Sequence, residues 1–407
     1  MNGMAFVIVG ASLAGVNAAE TLRSEGYTGD LIMIGDEPEP PYERPPLSKG
    51  YLLGNQERSS VFAHPFDWYR ENAVDLRLGQ RVTAVSLDAH TVTLSSGDSV
   101  GYDKLLLATG ASPRRLNVAG VDQSHVRYLR TLADSEALRA QMRLGLHVAV
   151  IGAGWIGLET AAAFASNGAQ VAIVEMEQLP LQRVLGNEVA AVFRDLHLAH
   201  GVKFHFGQSV DSISSSAVVL SSGDSVPADL VIVGVGVTPN ISLASEAGLA
   251  VDNGVTVDAG LQTSHPDVYA CGDIANWPHP LIGVRLRVEH WENARQSGQT
   301  VARSMLGLPT SYDWIPYFFS DQYDLGMEYS GWAAPNGYDS VVFRGDVAAR
   351  EFLAFWVKDG RVLAGMNVNV WDVHDDIRAL ISAGYSGKPV DLERLADPQV
   401  PLGELLS

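Results

Sequence analysis

One pattern limits what this chain can fold into more tightly than any other: an apolar run that breaks at glycine and restarts as a helix, written twice. In "FVIVGASLAGVNAAETL" the apolar, β-branched run 4–10 ends on Gly10 and predicts a buried strand. Residues 14–26 follow helical spacing, with Ala14, Ala18 and Leu22 on one stripe, and stop at Gly26. "DLIMIGDE" (30–37) reads as the next strand and carries an acidic pair at its end. The second copy has strand 147–152, helix 156–168 and strand 170–177. Two β-α-β units about 140 residues apart predict two separate α/β domains of the Rossmann type.

The glycine spacing carries chemistry as well as fold. In "GAGWIG", Gly152 makes the tight turn, Gly154 lets backbone approach a pyrophosphate, and Gly157 allows close helix–strand packing. The phosphates then meet the helix N-terminus. Glu175, 18 residues after Gly157 at a strand end, suits a ribose diol and would repel a 2′-phosphate, favouring NADH over NADPH. "GASLAG" keeps Gly10 and Gly15 but places Ser12 in the middle, small enough to leave the approach open. Asp36 and Glu37, 21 and 22 residues after Gly15, stand where that copy's ribose acid is needed.

Between and after these units the pattern changes. "PPYERPPLSKGYL" (40–52) is too proline-rich for regular structure and predicts a rigid surface segment. "YDKLLLATG" and "ADLVIVGVG" read as strands entering glycine turns, and "DVYACGD" as a strand ending in a Gly-Asp turn. From about residue 316 strand-like alternation dominates, predicting a C-terminal α+β domain with no flexible linker before it. The expected boundaries are 1–112 with 244–316 for the first dinucleotide domain, 113–243 for the second and 317–407 for the tail.

Composition removes several classes. With 28 cations against 47 anions the net charge is −19, which argues against nucleic acid or an anionic membrane as partner. The longest apolar runs, about seven to ten residues, fall short of a membrane span. No export signal is apparent and Cys271 is the single cysteine, so a cytoplasmic protein is expected. One cysteine also excludes a CxxC redox pair, an intramolecular disulfide and a cysteine-held metal or iron–sulfur site; no metal is expected.

The succession "PYERPPLSK", "LLLATG", "VIGAGWIGLE", "VGVGVTPN", "VYACGDIA", "HWENARQSGQ" and "SDQYD" resembles the FAD-dependent NADH:ferredoxin reductases of bacterial oxygenase systems. The resemblance implies a glutathione-reductase-like fold of two Rossmann-like domains plus the tail. It implies FAD on the first glycine motif (Gly10, Ser12, Leu13, Ala14, Gly15), with Asp36 or Glu37 on its adenosine ribose, and NADH on the second (Gly152, Gly154, Ile156, Gly157, Glu175). Arg44 would pair with FAD phosphate or adenine, and Asp273 would bond the ribitol chain. Lys49 would lie near flavin N5, paired with Glu159, and Glu289 and Trp291 would line the flavin and nicotinamide site. Further cofactor contacts implied are Ala108, Thr109, Gly110, Arg130, Arg183, Gly236 and Phe319. The family often has tryptophan in the segment before "SDQYD", where this chain has Tyr317 and Phe319.

The residues support several of these roles. Lys49 is one of five lysines and sits beside prolines that restrict it; a fixed cation there stabilises an anionic reduced flavin. Glu159 follows Gly157 by two residues, on the first turn of its helix, where it also suits the positive helix end. Flavin releases electrons singly, so the implied acceptor is a small [2Fe–2S] ferredoxin that serves a cytochrome P450 or a ring-hydroxylating dioxygenase. Such ferredoxins are acidic, and "RLRVEHWENARQSGQTVAR" offers Arg285, Arg287, Arg295 and Arg303, with Arg295 and Arg303 sharing a stripe if 290–305 is helical. A disulfide or peroxide reductase on the same plan would need a reactive cysteine early in the chain. NADH oxidase, monodehydroascorbate reductase, and a non-catalytic NADH-sensing flavoprotein resembling apoptosis-inducing factor stay open as alternatives.

Overall fold

The computed structural model describes residues 5–406; Met4, at the head of the first expected strand, lies outside them. The chain divides into two compact units. The first comprises the chain up to Glu43, Arg58–Ser112 and Thr238–Pro316; the second comprises Arg44–Glu57, Pro113–Val237 and Tyr317 onward. Residues 44–57, expected in the first dinucleotide domain, therefore belong to the second unit, and 238–243 to the first.

The first unit is built on a five-stranded parallel sheet in the order Val268–Ala270, Lys104–Leu107, Ala5–Val9, Asp30–Ile34, Val74–Arg77. Its middle strand has Val7 opposite both Leu105 and Ile32, and Phe6 to Ile8 are at most 1% exposed. Strands covered on both faces must be continuously apolar, which is why "FVIV" does not alternate. Helix Leu13–Ser24 packs along helix Trp291–Met305, where Gly298 is required: a Cβ there would stand 2.5 Å from the Ala14 carbonyl oxygen.

The second unit repeats the plan. Its parallel sheet runs Lys203–Phe206, Gln170–Glu175, His147–Ile151, Leu230–Val233, Val126–Tyr128. The tail adds an antiparallel sheet in the order Tyr317–Gln322, Leu325–Gly331, Arg361–Val368, Glu351–Lys358, Ser340–Asp346, covered by helix His374–Tyr385. One apolar core joins both: Val150, Leu158, Phe164 and Phe193 cluster with Tyr329, Trp356 and Met366. The Trp356 indole donates to the Leu185 carbonyl at 3.2 Å. The tail is α+β as expected, and it shares a hydrophobic core with the second dinucleotide module.

The expectation for residues 40–52 needs correction. Pro45–Ser48 forms a 3-10 turn, and Leu47, Ser48, Tyr51 and Leu52 are buried. Two bonds inside the second unit hold the segment: Ser135 Oγ donates to the Leu47 carbonyl at 2.8 Å and Tyr51 Oη to Glu136 at 2.8 Å. Prolines stiffen this stretch against regular structure, but its leucines and tyrosine still seek the core.

One buried residue makes folding pH-dependent. His197, within Gln182–Ala199, is fully buried, and burial pushes its pKa down to about 4, against the opposing effect of the hydrogen bond it makes to the Gln322 amide oxygen. Unfolded, the ring takes up a proton near pH 6.5, so between about 6.5 and 4 only the unfolded chain gains that proton. Stability from this group is complete above that window and falls by roughly 3 kcal/mol as pH drops through it. Buried His279, also shifted down, acts in the same sense. Melting curves across this window should converge for His197→Phe and the parent chain at low pH; curves that stay parallel would contradict the assignment.

Candidate functional site

Both glycine turns are built to one geometry. Gly10 (φ +121°) and Gly152 (φ +97°) adopt backbone angles that side chains rarely tolerate. A Cβ on Gly10 would lie 2.1 Å from the Ala108 carbonyl oxygen, and one on Gly152 2.5 Å from that of Gly234. The third glycines are equally constrained, because a Cβ on Gly15 would meet the Gly10 carbonyl oxygen at 2.2 Å, and one on Gly157 that of Gly152 at 2.1 Å. The middle position differs. A Cβ on Gly154 would meet no protein atom within 4 Å, so the fold does not require glycine there. Gly154 and its counterpart Ser12 each precede their helix in an extended conformation, and neither supplies a side-chain cap. Neither helix start is closed by a capping side chain, and beside Gly154 the space is open, which leaves helix-end amides of the kind a dinucleotide diphosphate requires.

In the first unit the structure gathers further expected residues at this turn. Ala108 closes on Gly10, and Thr109 is pinned by reciprocal bonds with Asn240 at 2.7 and 2.9 Å, which orders the run into Gly110. Gly272 lies beside Ala14, bringing Asp273 to the same helix end. Of the two candidate acids, Asp36 points outward and pairs with Arg81 at 2.9 Å, whereas Glu37 accepts from Tyr42 Oη at 2.5 Å. Arg287 binds both the Asp273 carbonyl and the Glu289 carboxylate, and Trp291 opens the helix that carries Arg295 over its ring at 4.7 Å.

In the second unit a cavity of about 380 Å³ opens over the glycine turn, lined by Gly152, Gly154, Glu175, Arg183 and Gly236. Ile156 is exposed and Gly157 buried, and neither lines it. Glu175 accepts from the Ala153 amide at 2.7 Å and from the Glu177 amide at 2.9 Å, so its carboxylate is oriented while lone pairs stay available for a ribose. Arg183 binds Glu177 at 2.6 Å, a partner not singled out in the sequence.

Elsewhere in that unit Lys49 and Glu159 form the expected pair, with Nζ 2.6 Å from Oε1. Their side chains are only 15% and 3% exposed. Glu159 is the fifth residue of helix Trp155–Ser166, past its first turn, so the helix-end role does not hold; the carboxylate turns inward instead. Two hydroxyls missed from the sequence complete its shell: Ser48 Oγ donates at 2.5 Å and Ser320 Oγ at 2.7 Å. Phe319 lies 5.4 Å from the Lys49 ammonium. Partial burial pushes the neighbouring Asp321 carboxyl up, with Lys49 pulling the other way. Arg44 donates to the Arg130 carbonyl, joining two more of the expected residues. Period-two reading of "FFSDQ" as a strand was the signal that would have set Ser320 and Gln322 on one face.

The four arginines expected as a basic face are each engaged. Arg285 donates to the Val257 carbonyl at 2.7 Å and Arg287 binds Glu289, whereas Arg295 pairs with Glu292 at 3.0 Å and Arg303 with Glu25 at 2.8 Å. Helix Trp291–Met305 matches the expected span.

The glycine geometry separates fold from binding. Gly157→Ala forces a Cβ onto a backbone carbonyl and should destabilise the chain by about 3 kcal/mol. Gly154→Ala should leave the melting temperature unchanged yet raise the half-saturating NADH concentration about tenfold, since the new methyl projects into the open space at the helix start. Equal losses of stability in the two variants would contradict this division.

Similar proteins fit the same architecture. Residues 4–298 match the family described as pyridine nucleotide-disulphide oxidoreductase, and residues 317–406 the reductase C-terminal domain. The chain is 39% identical to the anthranilate 1,2-dioxygenase system ferredoxin–NAD(+) reductase component of Burkholderia cepacia, over 100% of both chains. The crystal structure of the ferredoxin reductase for the CYP199A2 system from Rhodopseudomonas palustris superposes with a TM-score of 0.94 at 37% identity, covering 99% of this chain and 100% of that one. Putidaredoxin reductase, in its covalent complex with putidaredoxin, gives a TM-score of 0.93 at 36% identity, covering 99% and 98%. Two glycine-turned parallel sheets and an antiparallel tail are thus the shared plan, and the chain belongs to the pyridine nucleotide-disulphide oxidoreductase family.

Proposed function

We propose that this protein is an FAD-containing NADH:ferredoxin reductase that supplies electrons, through a small [2Fe–2S] ferredoxin, to a cytochrome P450 or a ring-hydroxylating dioxygenase. The observation that carries the reading is the pair of matched diphosphate cradles in a chain with one cysteine. Two dinucleotides are held, and no dithiol exists to take electrons onward. Cys271 is fully buried, and burial raises its thiol pKa far above neutrality, so it remains a protonated core residue. The acceptor must come from outside. Relatives named for an anthranilate dioxygenase system and for the CYP199A2 system support a ferredoxin in that place.

The residues fit FAD on the first unit. Ser12, Leu13, Ala14 and Gly15 bring helix-end amides to its diphosphate, Glu37 is the ribose acid, and Asp273 at the same helix end takes the ribitol. When bound, FAD supplies the chemistry that no side chain here has, accepting a hydride's two electrons and passing them on one at a time. NADH enters the second cavity, where the Gly154 turn receives the diphosphate and Glu175 the ribose, its charge disfavouring a 2′-phosphate. Lys49 acts as a fixed ammonium that offsets negative charge developing on the electron-accepting ring, and Glu159 holds it in place. Hydride transfer itself requires no acid or base from the protein, so positioning and charge are its contribution.

Ferredoxin docking is assigned to the outer stripe of helix Trp291–Met305, at Arg295 and Arg303. Arg285 and Arg287 spend their guanidinium groups on other partners. The two remaining cations are 37% and 49% exposed and each is bound to a single glutamate; the Arg303–Glu25 pair, the more exposed of the two, is the weak pairing that an acidic partner can displace.

Reduction of cytochrome c by NADH, with and without a purified [2Fe–2S] ferredoxin, tests the function. A rate that depends on ferredoxin and falls with added salt is expected. Slow turnover with a long-lived NADH–flavin complex would instead indicate a sensor. Arg303→Glu should raise the ferredoxin KM about tenfold while NADH-driven flavin bleaching is unchanged. Arg303 is the better probe because Arg295 lies over Trp291. Equal effects on both rates would remove the docking assignment.

A further inference from the structure

Behind Glu159 runs a buried polar chain that neither cofactor grip nor charge stabilisation explains. Ser320 Oγ is 2.7 Å from Glu159 Oε1 and 3.0 Å from Gln322 Nε2. Gln322 Oε1 is 2.8 Å from His197 Nε2, and Tyr323 Oη is 3.4 Å from His197 Nδ1. Ser320, Gln322 and His197 are at most 1% exposed, and all five residues lie in the second unit.

The charge at the head of the chain dictates where every proton sits. An ionised carboxylate only accepts, so the Ser320 hydroxyl must donate to it. Ser320 then accepts from the Gln322 amide nitrogen, which turns the amide oxygen toward His197. That oxygen requires a proton on His197 Nε2, leaving Nδ1 to accept from the Tyr323 hydroxyl. Burial keeps the imidazole neutral, so a single tautomer satisfies all these contacts. Four hydrogen bonds therefore run in one direction and end on one carboxylate oxygen. In a dry interior such aligned bonds polarise one another. The amide in the middle does not exchange protons as a hydroxyl or imidazole does, so the chain transmits orientation and not protons.

We propose that His197 and Gln322 are positioning residues for the Lys49–Glu159 pair, acting through Ser320 to hold the Glu159 carboxylate in the orientation that fixes the Lys49 ammonium. The proposal rests on the reading of Lys49 as the charge-stabilising cation. The other groups facing the pair are Ser48 on the proline-stiffened segment and Phe319 and Asp321 on the first tail strand. Ser48 donates to the other carboxylate oxygen, while Asp321 opposes the negative charge. Ser320 is thus the donor on the tail side that counters Asp321. His197 lies beyond Gly186, whose non-helical backbone angles (φ 76°, ψ 178°) break the span Gln182–Ala199 into two helices, so the cavity-lining Gln182 and Arg183 precede the break. The chain ties the second of these helices to the first strand of the tail sheet.

The test uses the full-length, flavin-loaded protein with anaerobic stopped-flow reduction by NADH, the visible flavin spectrum and 15N NMR of histidine ring nitrogens. Gln322→Leu should slow saturating flavin reduction about tenfold, leave half-saturating NADH within about twofold, and move the flavin band in the same sense as Lys49→Gln. Ser320→Ala should do the same, the double variant should be no worse than either alone, and Ser320→Thr should recover the rate by restoring the hydroxyl. The signals absent from His197→Phe should show His197 protonated at Nε2 alone. A Gln322→Leu protein with a lowered melting temperature but parental rate and spectrum would overturn the proposal, as would a proton on Nδ1. If Gln322→Leu does not fold, the contrast between Ser320→Ala and Ser320→Thr decides. If Lys49→Gln alone leaves rate and spectrum intact, the reading of Lys49 fails, and the tautomer still decides the direction of the chain.

Discussion

The structure depends on how closely a helix can start beside the strand that precedes it. In each parallel sheet the helix after the central strand begins so near the turn that Gly15 and Gly157 sit against the carbonyls of Gly10 and Gly152. Any side chain there pushes the helix off the sheet, and with it the amides at its N-terminus. Binding and packing thus share one constraint at the outer glycines. The middle position escapes it, because among the described residues none beyond its chain neighbours comes within 4 Å of a Cβ on Gly154. That is the physical reason Ser12 is tolerated in the first copy: the fold asks only for a small residue, and the rest is between the turn and its ligand.

A second constraint is electrostatic. Glu159 is buried with its lysine, and a buried ion pair is a poor way to gain stability, since desolvation costs several kcal/mol per ion and is often barely recovered. Three donors around one carboxylate lower that cost but do not reverse the argument. The pair makes sense as a charge that must be fixed in place. Its surroundings agree, because the helix that carries the carboxylate also packs separately against both elements that supply the donors, the proline-stiffened turn and the first tail strand.

Local chemistry was legible in the sequence and distant pairing was not. Strands such as Ala5–Val9, His147–Ile151 and Gln170–Glu175 fall within two residues of where apolar runs predict them, because burial on both faces leaves an unbroken signature. Glu175 was reached by spacing, and the Lys49–Glu159 pair through the family resemblance. The segment 40–52 was misjudged as surface, since proline content reports backbone stiffness and says nothing about what its leucines pack against. Glu159 was assigned to the first turn of a helix expected from 156, and because the helix opens one residue earlier, at Trp155, it falls just past that turn. Ser48 and Ser320 lie 111 and 161 residues from the carboxylate they bind, and no local pattern records such a partnership.

The tail is where this distance matters most. Read by itself, "PYFFSDQYD" is an ordinary strand entering a turn, and an appended domain with its own sheet could be supposed independent of the chemistry. Its core contradicts that, because Tyr329, Trp356 and Met366 close over Phe193 and Leu158 of the second module. Its first strand contradicts it further. Phe319 stands by the Lys49 ammonium, Ser320 donates to Glu159, and Gln322 reaches His197 on the opposite side. Alternation along one strand splits the work, with odd positions toward the lysine and even positions toward the buried carboxylate chain. A strand that serves both sides at once cannot shift register by a residue without exchanging an aromatic ring for a hydroxyl at each contact. The antiparallel sheet behind it is what holds that register, so the tail contributes to the charged site through its hydrogen-bond ladder as much as through any single side chain.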